Sequence, residues 1–197
     1  MVTIGDAPLR IEDVVAVADG APVELSAAAR DRIRRSRQVI EEKLAADEPT
    51  YGLNRGVGHD KDRRISGDEM TQFSLRMLRS HEGGIGPPLS ADIVRAAILA
   101  RVSGIAQGGS GASPAMPETL VAMLNGGVTP LVPSISSVGD GDLGQMAAIG
   151  LVAIGEGIAT YRGEPMAGAD ALRMAGIAPL ALGPKDGLTL MSANGIS

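Results

Sequence analysis

The sequence predicts a mainly α-helical fold with small β elements, and three observations carry that expectation. Aromatic residues are nearly absent: Phe73, Tyr51 and Tyr161 are the only ones, and there is no Trp. A core without them must be packed from Leu, Ile, Val, Met and Ala, which suits closely packed helices better than a β-sandwich. Apolar residues recur at helical spacing behind residues suited to helix starts. Polar, glycine-rich loops separate these stretches at three places.

Residues 1–25 alternate weakly and contain Gly20 and Pro22, which predicts a short strand or two with a turn or helical turn between. Ser26 is a good N-cap, and Ile33, Ile40 and Leu44 lie on one side of the helix it opens. The basic run from Arg30 to Arg37 on that helix reads as a solvated face rather than an anion site. Pro49 ends the helix. Tyr51-Gly52-Leu53-Asn54-Arg55-Gly56-Val57-Gly58-His59-Asp60 follows, with glycines that allow backbone angles closed to other residues.

A second helix is expected from about Gly67 to Glu82, broken by Gly83-Gly84-Ile85-Gly86-Pro87-Pro88. Ser90 and Asp92 open a third, to about Ala106. Gly108 to Ser113 is a link, and Pro117 fits the first turn of a fourth helix that ends near Asn125-Gly126-Gly127. After the glycine-rich turn from Ser136 to Gly144, the apolar run Met146 to Ile158 reads as a buried helix. Arg162-Gly163-Glu164 reads as a hairpin turn, and helices resume near Ala169 and Lys185. Nothing repeats and no linker divides residues 1–197, which read as one domain. The last residues, Met191 to Ser197, carry no helix stop signal and read as if more chain should follow.

Charge and composition exclude several classes. A formal charge of −5 gives no electrostatic reason to expect nucleic acid as a partner. Without cysteine there is no disulfide and no thiolate chemistry. The start, MVTIGDAPLR, is not a signal peptide, and the longest apolar stretch, near Met146 to Ile154, is too short to cross a bilayer. The expectation is a cytoplasmic protein with no membrane partner.

Taken singly, the chemical candidates each have a plain structural alternative. Tyr51 beside Gly52 is either a general acid or base on a flexible loop or a structural tyrosine. His81, just before Gly83-Gly84, is either a substrate contact or base, or a histidine capping a helix end. His59 beside Asp60 reads as solvated surface. Asp140 and Asp142 flank Gly141, but no third ligand lies at a suitable spacing, so no metal is expected. The same turn lacks the Lys and Ser/Thr of a phosphate loop, and no dinucleotide fingerprint follows a strand.

Taken in order, they form a pattern. Tyr51-Gly52-Leu53-Asn54-Arg55-Gly56-Val57-Gly58 resembles the Tyr-Gly-x-Asn-Thr-Gly-x-Gly loop of histidine and phenylalanine ammonia-lyases. Ser80-His81-Glu82-Gly83-Gly84-Ile85-Gly86, Gly108-Gly109-Ser110-Gly111 and Leu124-Asn125-Gly126-Gly127-Val128 resemble successive segments of the same family. So do Gly155-Glu156-Gly157 and, with one or two extra residues, the stretch from Gly187-Leu188 to Asn194-Gly195. The resemblance covers nearly the whole chain. It implies the N-terminal portion of the ammonia-lyase fold, which is helical like the fumarase and aspartase fold.

One segment departs from the pattern. Members of the family build a methylidene-imidazolone ring from an internal Ala-Ser-Gly, and its exocyclic alkene captures the substrate amine. Here Ser137-Val138-Gly139 and Gly141-Asp142-Leu143 frame that position, with Asp140 where Ala-Ser should stand. The segment is one residue short and has no β-hydroxyl to eliminate there, so no ring and no other cofactor is expected. Family enzymes are also more than twice this long and work as helical tetramers. The resemblance therefore implies an oligomer and a partner, either a C-terminal-half polypeptide or a full-length paralogue.

Three functions fit. The first is a ring-less C–N lyase acting on a small amino acid derivative with a polar ring, since a trialkylammonium leaves without an electrophile. The resemblance extends to ergothionase-like lyases, which release trimethylamine from a histidine betaine and likewise dispense with the ring. Tyr51 would then take the β-proton, aided by Arg55, against a free-phenol pKa of about 10. His81 would contact the substrate ring. Asn194 and the backbone N–H groups around Gly139, Asp140 and Gly141 would hold the carboxylate or developing charge. The second is a half-enzyme in a hetero-oligomer, and the third a non-catalytic relative with a structural or regulatory role.

Overall fold

The computed structural model describes residues 1–137, 139 and 141–196. The chain opens with β1 (Val2–Ile4) and β2 (Val23–Leu25), paired in parallel with Val2 opposite Val23 and Ile4 opposite Leu25. A parallel pair needs a crossover, and α1 (Ile11–Ala18) supplies it where the sequence suggested no more than a helical turn.

The Ser26 hydroxyl accepts the Ala29 N–H at 3.0 Å and opens α2 (Ala27–Ala45), which buries Ile33 and Ile40 as expected. The helix ends short of Pro49, with Asp47 at φ 48° turning the chain. The basic run on α2 is less solvated than its composition suggests. Arg30 pairs with Glu118 at 2.6 Å, Arg32 donates to the carbonyls of Ala106 and Gly5, and Arg37 donates to that of Pro184. Guanidinium groups on long stems can reach the free carbonyls of neighbouring segments. These arginines therefore bind α2 to the rest of the molecule, while Arg34 and Arg35 remain exposed.

Ser66 and Glu69 form a capping box at the start of α3 (Gly67–His81). The central helix is α4 (Ala91–Ala106), packed against α1, α2 and α5 (Ala115–Gly126). Buried along its length, α6 (Leu143–Ala153) packs against α3 and α8 (Asp186–Met191). It begins earlier than the apolar run suggested and stops at Ala153, because Ile158 already belongs to a strand. Leu78, Ile98, Leu99, Ile105, Met116, Leu120, Met123, Met146 and Ile149 are fully enclosed, and methionine fills space that aromatic rings fill in other cores.

Two small sheets complete the fold. In the first, β3 (Ile85–Pro88) pairs antiparallel with β5 (Pro133–Ile135), so the expected glycine–proline break is also a strand. Both strands are edges of a two-stranded sheet, where proline is tolerated. In the second, β4 (Thr129–Pro130), β6 (Ile158–Tyr161) and β7 (Glu164–Ala167) lie in that spatial order. Arg162 and Gly163 join β6 to β7 with φ 53° and 86°, the left-handed pair of a tight hairpin and the turn the sequence predicted. From β7 the chain enters α7 (Gly168–Met174), close to the helix start expected near Ala169. Among the described residues no helix is long and apolar enough to cross a membrane.

Candidate active site

Two segments far apart in sequence meet at the start of α6. The N–H of Asp142, the residue before the helix, donates to the Ala193 carbonyl at 2.9 Å, and its carboxylate accepts the Ile196 N–H at 2.8 Å. Asn194 is thereby held against Gly141: a Cβ on that glycine would stand 3.2 Å from the Asn194 amide oxygen, and its φ is 117°. Gly141, Leu143, Ser192, Ala193 and Asn194 line a cavity of about 330 Å³. Beside it lies the N-terminus of α6, whose first N–H groups and dipole favour negative charge.

Not every N–H in this turn is available. Gly139 donates to the Ser137 hydroxyl at 3.2 Å, and that hydroxyl donates to the Gly141 carbonyl at 3.2 Å. Asp140, named from the sequence as a substrate contact, lies outside the described residues.

His81 is the last residue of α3, and its carbonyl oxygen lies 3.1 Å from where a Cβ on Gly144 would be. The end of α3 thus abuts the first turn of α6. The ring nitrogen Nδ1 is 2.8 Å from the Met77 carbonyl, which can only accept. Nδ1 therefore carries a proton, which leaves Nε2 as the ring nitrogen turned away from this carbonyl.

The loop of Tyr51 is organised by Asn54, which is 1% exposed. Its amide oxygen accepts the Thr50 N–H at 2.8 Å and its amide nitrogen donates to the Glu48 carbonyl at 2.9 Å. Tyr51 is half exposed, and its hydroxyl oxygen accepts the Gly58 N–H at 3.0 Å. Arg55 folds back to donate to the Asn54 carbonyl at 2.8 Å. Gly52, at φ 67°, lies against Leu188 of α8.

The Tyr51 loop lies against α8, the Asn194 segment follows α8 in the chain, and His81 adjoins α6. The walls of the Gly141–Asn194 cavity include neither Tyr51 nor His81. Sequence reasoning passed over Asn54 and Asp142 as structural keystones. Their signal was present, since a polar residue inside a glycine loop or just before a helix tends to cap backbone groups. Among the described residues no group of three His, Asp or Glu side chains could hold a metal ion.

Residues 9–197 match the family model described as aromatic amino acid lyase. The chain is 44% identical over 193 residues to a histidine ammonia-lyase of Treponema denticola, covering 97% of this chain and 38% of that protein. A histidine ammonia-lyase of Gloeobacter violaceus is 45% identical over 186 residues, covering 93% of this chain and 36% of that one. Among solved structures, an ergothionase of Treponema denticola in complex with desmethyl-ergothioneine sulfonic acid superposes with a TM-score of 0.96 at 36% identity. That match covers 99% of this chain and 39% of the other. The chain thus spans less than two-fifths of the length of the proteins it matches.

Proposed function

The chain belongs to the aromatic amino acid lyase family, and from that premise we propose that it is the N-terminal, site-bearing part of a C–N lyase. The reaction is a β-elimination on a histidine-like or other polar-ring amino acid derivative, carried out without a methylidene-imidazolone group. The observation that carries this reading is the turn before α6. The ring needs Ala-Ser-Gly in succession, and the chain contains that tripeptide nowhere. Of the two serines at the turn, Ser136 precedes Ser137, and Ser137 precedes Val138 and is already bonded to Gly139 and Gly141. The residues present do not fit the group.

Without an electrophile the leaving group must depart unaided, which a trialkylammonium does and a primary amine does not. The likeness to an ergothioneine-degrading enzyme supports that substrate class. In this reading Tyr51 takes the β-proton while Gly58 N–H stays on its oxygen. His81 meets the substrate ring through Nε2. Asn194 and the start of α6 hold the carboxylate or the charge that develops beside it. A C-terminal-half polypeptide or a full-length paralogue supplies the remaining helices and brings the Tyr51 loop to the substrate.

The test is Tyr51→Phe in the complete assembly, followed by the ultraviolet absorbance of an acrylate product. Histidine and its trimethylated and thiolated relatives are the substrates to compare. Turnover should vanish with the oligomer intact, whereas unchanged turnover overturns the role of Tyr51. An intact mass lower by two waters would overturn the ring-less site.

The position of Tyr51 and His81 outside the Asn194 cavity favours a second reading, a non-catalytic subunit with a structural or regulatory role in a hetero-oligomer. An assembly whose turnover is indifferent to both Tyr51→Phe and His81→Ala would establish it.

A further inference from the structure

On the other side of the Asn194 segment, a second cleft of about 390 Å³ opens between α4 and α8. Its walls include Arg101 and Lys185 together with Ser110, Thr189 and Ser192. Arg101 also lines a smaller cavity beside Asn194. Both cations are anchored through carbonyl oxygens: Arg101 Nη1 donates to Ser192 at 2.9 Å and Lys185 Nζ to Ser110 at 3.0 Å. Among the described residues neither forms an ion pair, and the buried Nε of Arg101 has no hydrogen-bond partner.

Arg37 stands close by and acts on Lys185, but is itself paired with Glu41 at 3.3 Å. Asp186, the carboxylate that acts on Lys185, is fully buried and already engaged. It accepts the Ser113 N–H at 2.9 Å and the Gly183 N–H at 2.7 Å, and lies 3.9 Å from Arg37. Arg101 and Lys185 thus line a roomy cleft without an ion-pair partner among the described residues. Burial pushes the Arg101 guanidinium down to about 10, and burial, then Arg101 and Arg37, hold the Lys185 ammonium below its usual value. Partly desolvated cations without a counter-charge are costly, and an incoming anion would offset that cost.

We propose that the cleft lined by Arg101 and Lys185 is a binding site for a carboxylate group. The guanidinium fork and the ammonium supply charge, and the hydroxyls of Ser110 and Ser192 supply donors that can turn towards it, whereas the Thr189 hydroxyl already donates to the Ser110 carbonyl at 3.1 Å. The carbonyls of Ser110 and Ser192 in the same region favour a singly charged carboxylate over a doubly charged phosphate. The group comes either from a small carboxylic acid or from an acidic side chain of another polypeptide.

The test is thermal unfolding of the purified chain in sodium acetate, sodium phosphate or sodium chloride at matched ionic strength and pH 7. Acetate at about tenfold its dissociation constant should raise the melting temperature by about 3 °C over chloride. The rise should be lost in Arg101→Gln and in Lys185→Gln, and kept in Arg34→Gln, which removes an exposed arginine elsewhere. If Arg101→Gln fails to fold, Lys185→Gln decides alone. Equal melting in acetate and chloride, or an acetate response that survives the folded cleft variants, overturns the site. A phosphate response as large as that of acetate overturns its assignment to carboxylates. Native mass separates the two sources. Acetate that dissociates an existing assembly assigns the site to an acidic side chain, and acetate that binds without changing the mass assigns it to a small acid.

Discussion

The carboxylate of Asp142 accepts the backbone N–H of Ile196 at 2.8 Å, so the residue that opens α6 also holds the segment carrying Asn194. Asp142 is fully buried. Replacing it with alanine strands the Ile196 N–H and removes a favourable negative charge from the helix start. Asp142→Ala is expected to lower the unfolding free energy by about 2–3 kcal/mol. Asp142→Asn keeps an acceptor in place and should cost less. Urea denaturation gives the two values, and amide exchange at Ile196 should accelerate in the alanine variant. An unchanged midpoint in Asp142→Ala would show that the 192–196 segment is held by other contacts.

Much of this arrangement was legible in the sequence, for identifiable reasons. Ser26 and Ser90 each precede a helix, because a residue with a short polar side chain is favoured just before the first helical turn. The hairpin turn at Arg162 and Gly163 was readable because few sequences satisfy two successive left-handed residues. The pairing of β3 with β5 was not legible, since a stretch of glycine and proline carries no strand signal of its own. Partners distant in sequence define it. The site divides the same way. Tyr51, His81 and Asn194 stood out by motif, whereas the turn of Arg55 back onto its own loop depends on one hydrogen bond to Asn54 that no spacing encodes.

Gly52 supports the Tyr51 loop in two ways. Its φ of 67° is left-handed, and a Cβ there would collide with Leu188 of α8. Gly52→Ala therefore combines backbone strain with a steric clash, and is expected to destabilise the chain by about 1–3 kcal/mol. Because the clash lies next to Tyr51, turnover in the complete assembly should fall more than stability alone explains. The comparison to make is activity well below the melting temperature, in Gly52→Ala beside wild type. Retention of full activity by a folded variant would show that the loop tolerates displacement from α8.

Asp186 is the hub between α8 and the 110–113 link. It is fully buried, accepts the N–H groups of Ser113 and Gly183, and faces Arg37. Asp186→Ala leaves two N–H donors without their acceptor and a guanidinium without its nearest buried carboxylate. The expected loss is about 3 kcal/mol, at the lower end for breaking a buried charged network. Asp186→Asn retains one acceptor oxygen and should recover part of it. Chemical denaturation of both variants, of Arg37→Gln and of the Asp186→Ala, Arg37→Gln double variant tests this as a cycle. If the Asp186 and Arg37 effects simply add, the pair is not coupled and the backbone N–H groups account for the loss.

Arg79 of α3 donates to the Glu156 carboxylate at 3.0 Å, tying the end of α6 to the helix that carries His81. The hydrogen bond from Arg79 holds the Glu156 carboxyl below its usual range; burial opposes the shift, and the Arg79 charge reinforces it. A carboxyl with a lowered folded pKa binds fewer protons folded than unfolded. Its stabilisation is therefore complete above the ordinary glutamate value of 4.5 and is lost as pH falls through the folded value. Both side chains are more than a third exposed, so solvent and salt screen the pair and the effect should be modest. Melting temperatures from pH 7 to pH 3 should show wild type above Arg79→Gln at neutral pH, with the gap closing below pH 4.5. Raised salt should narrow the gap at neutral pH. A gap that persists unchanged to pH 3 would mean that Arg79 stabilises through the packing of its stem rather than through the ion pair.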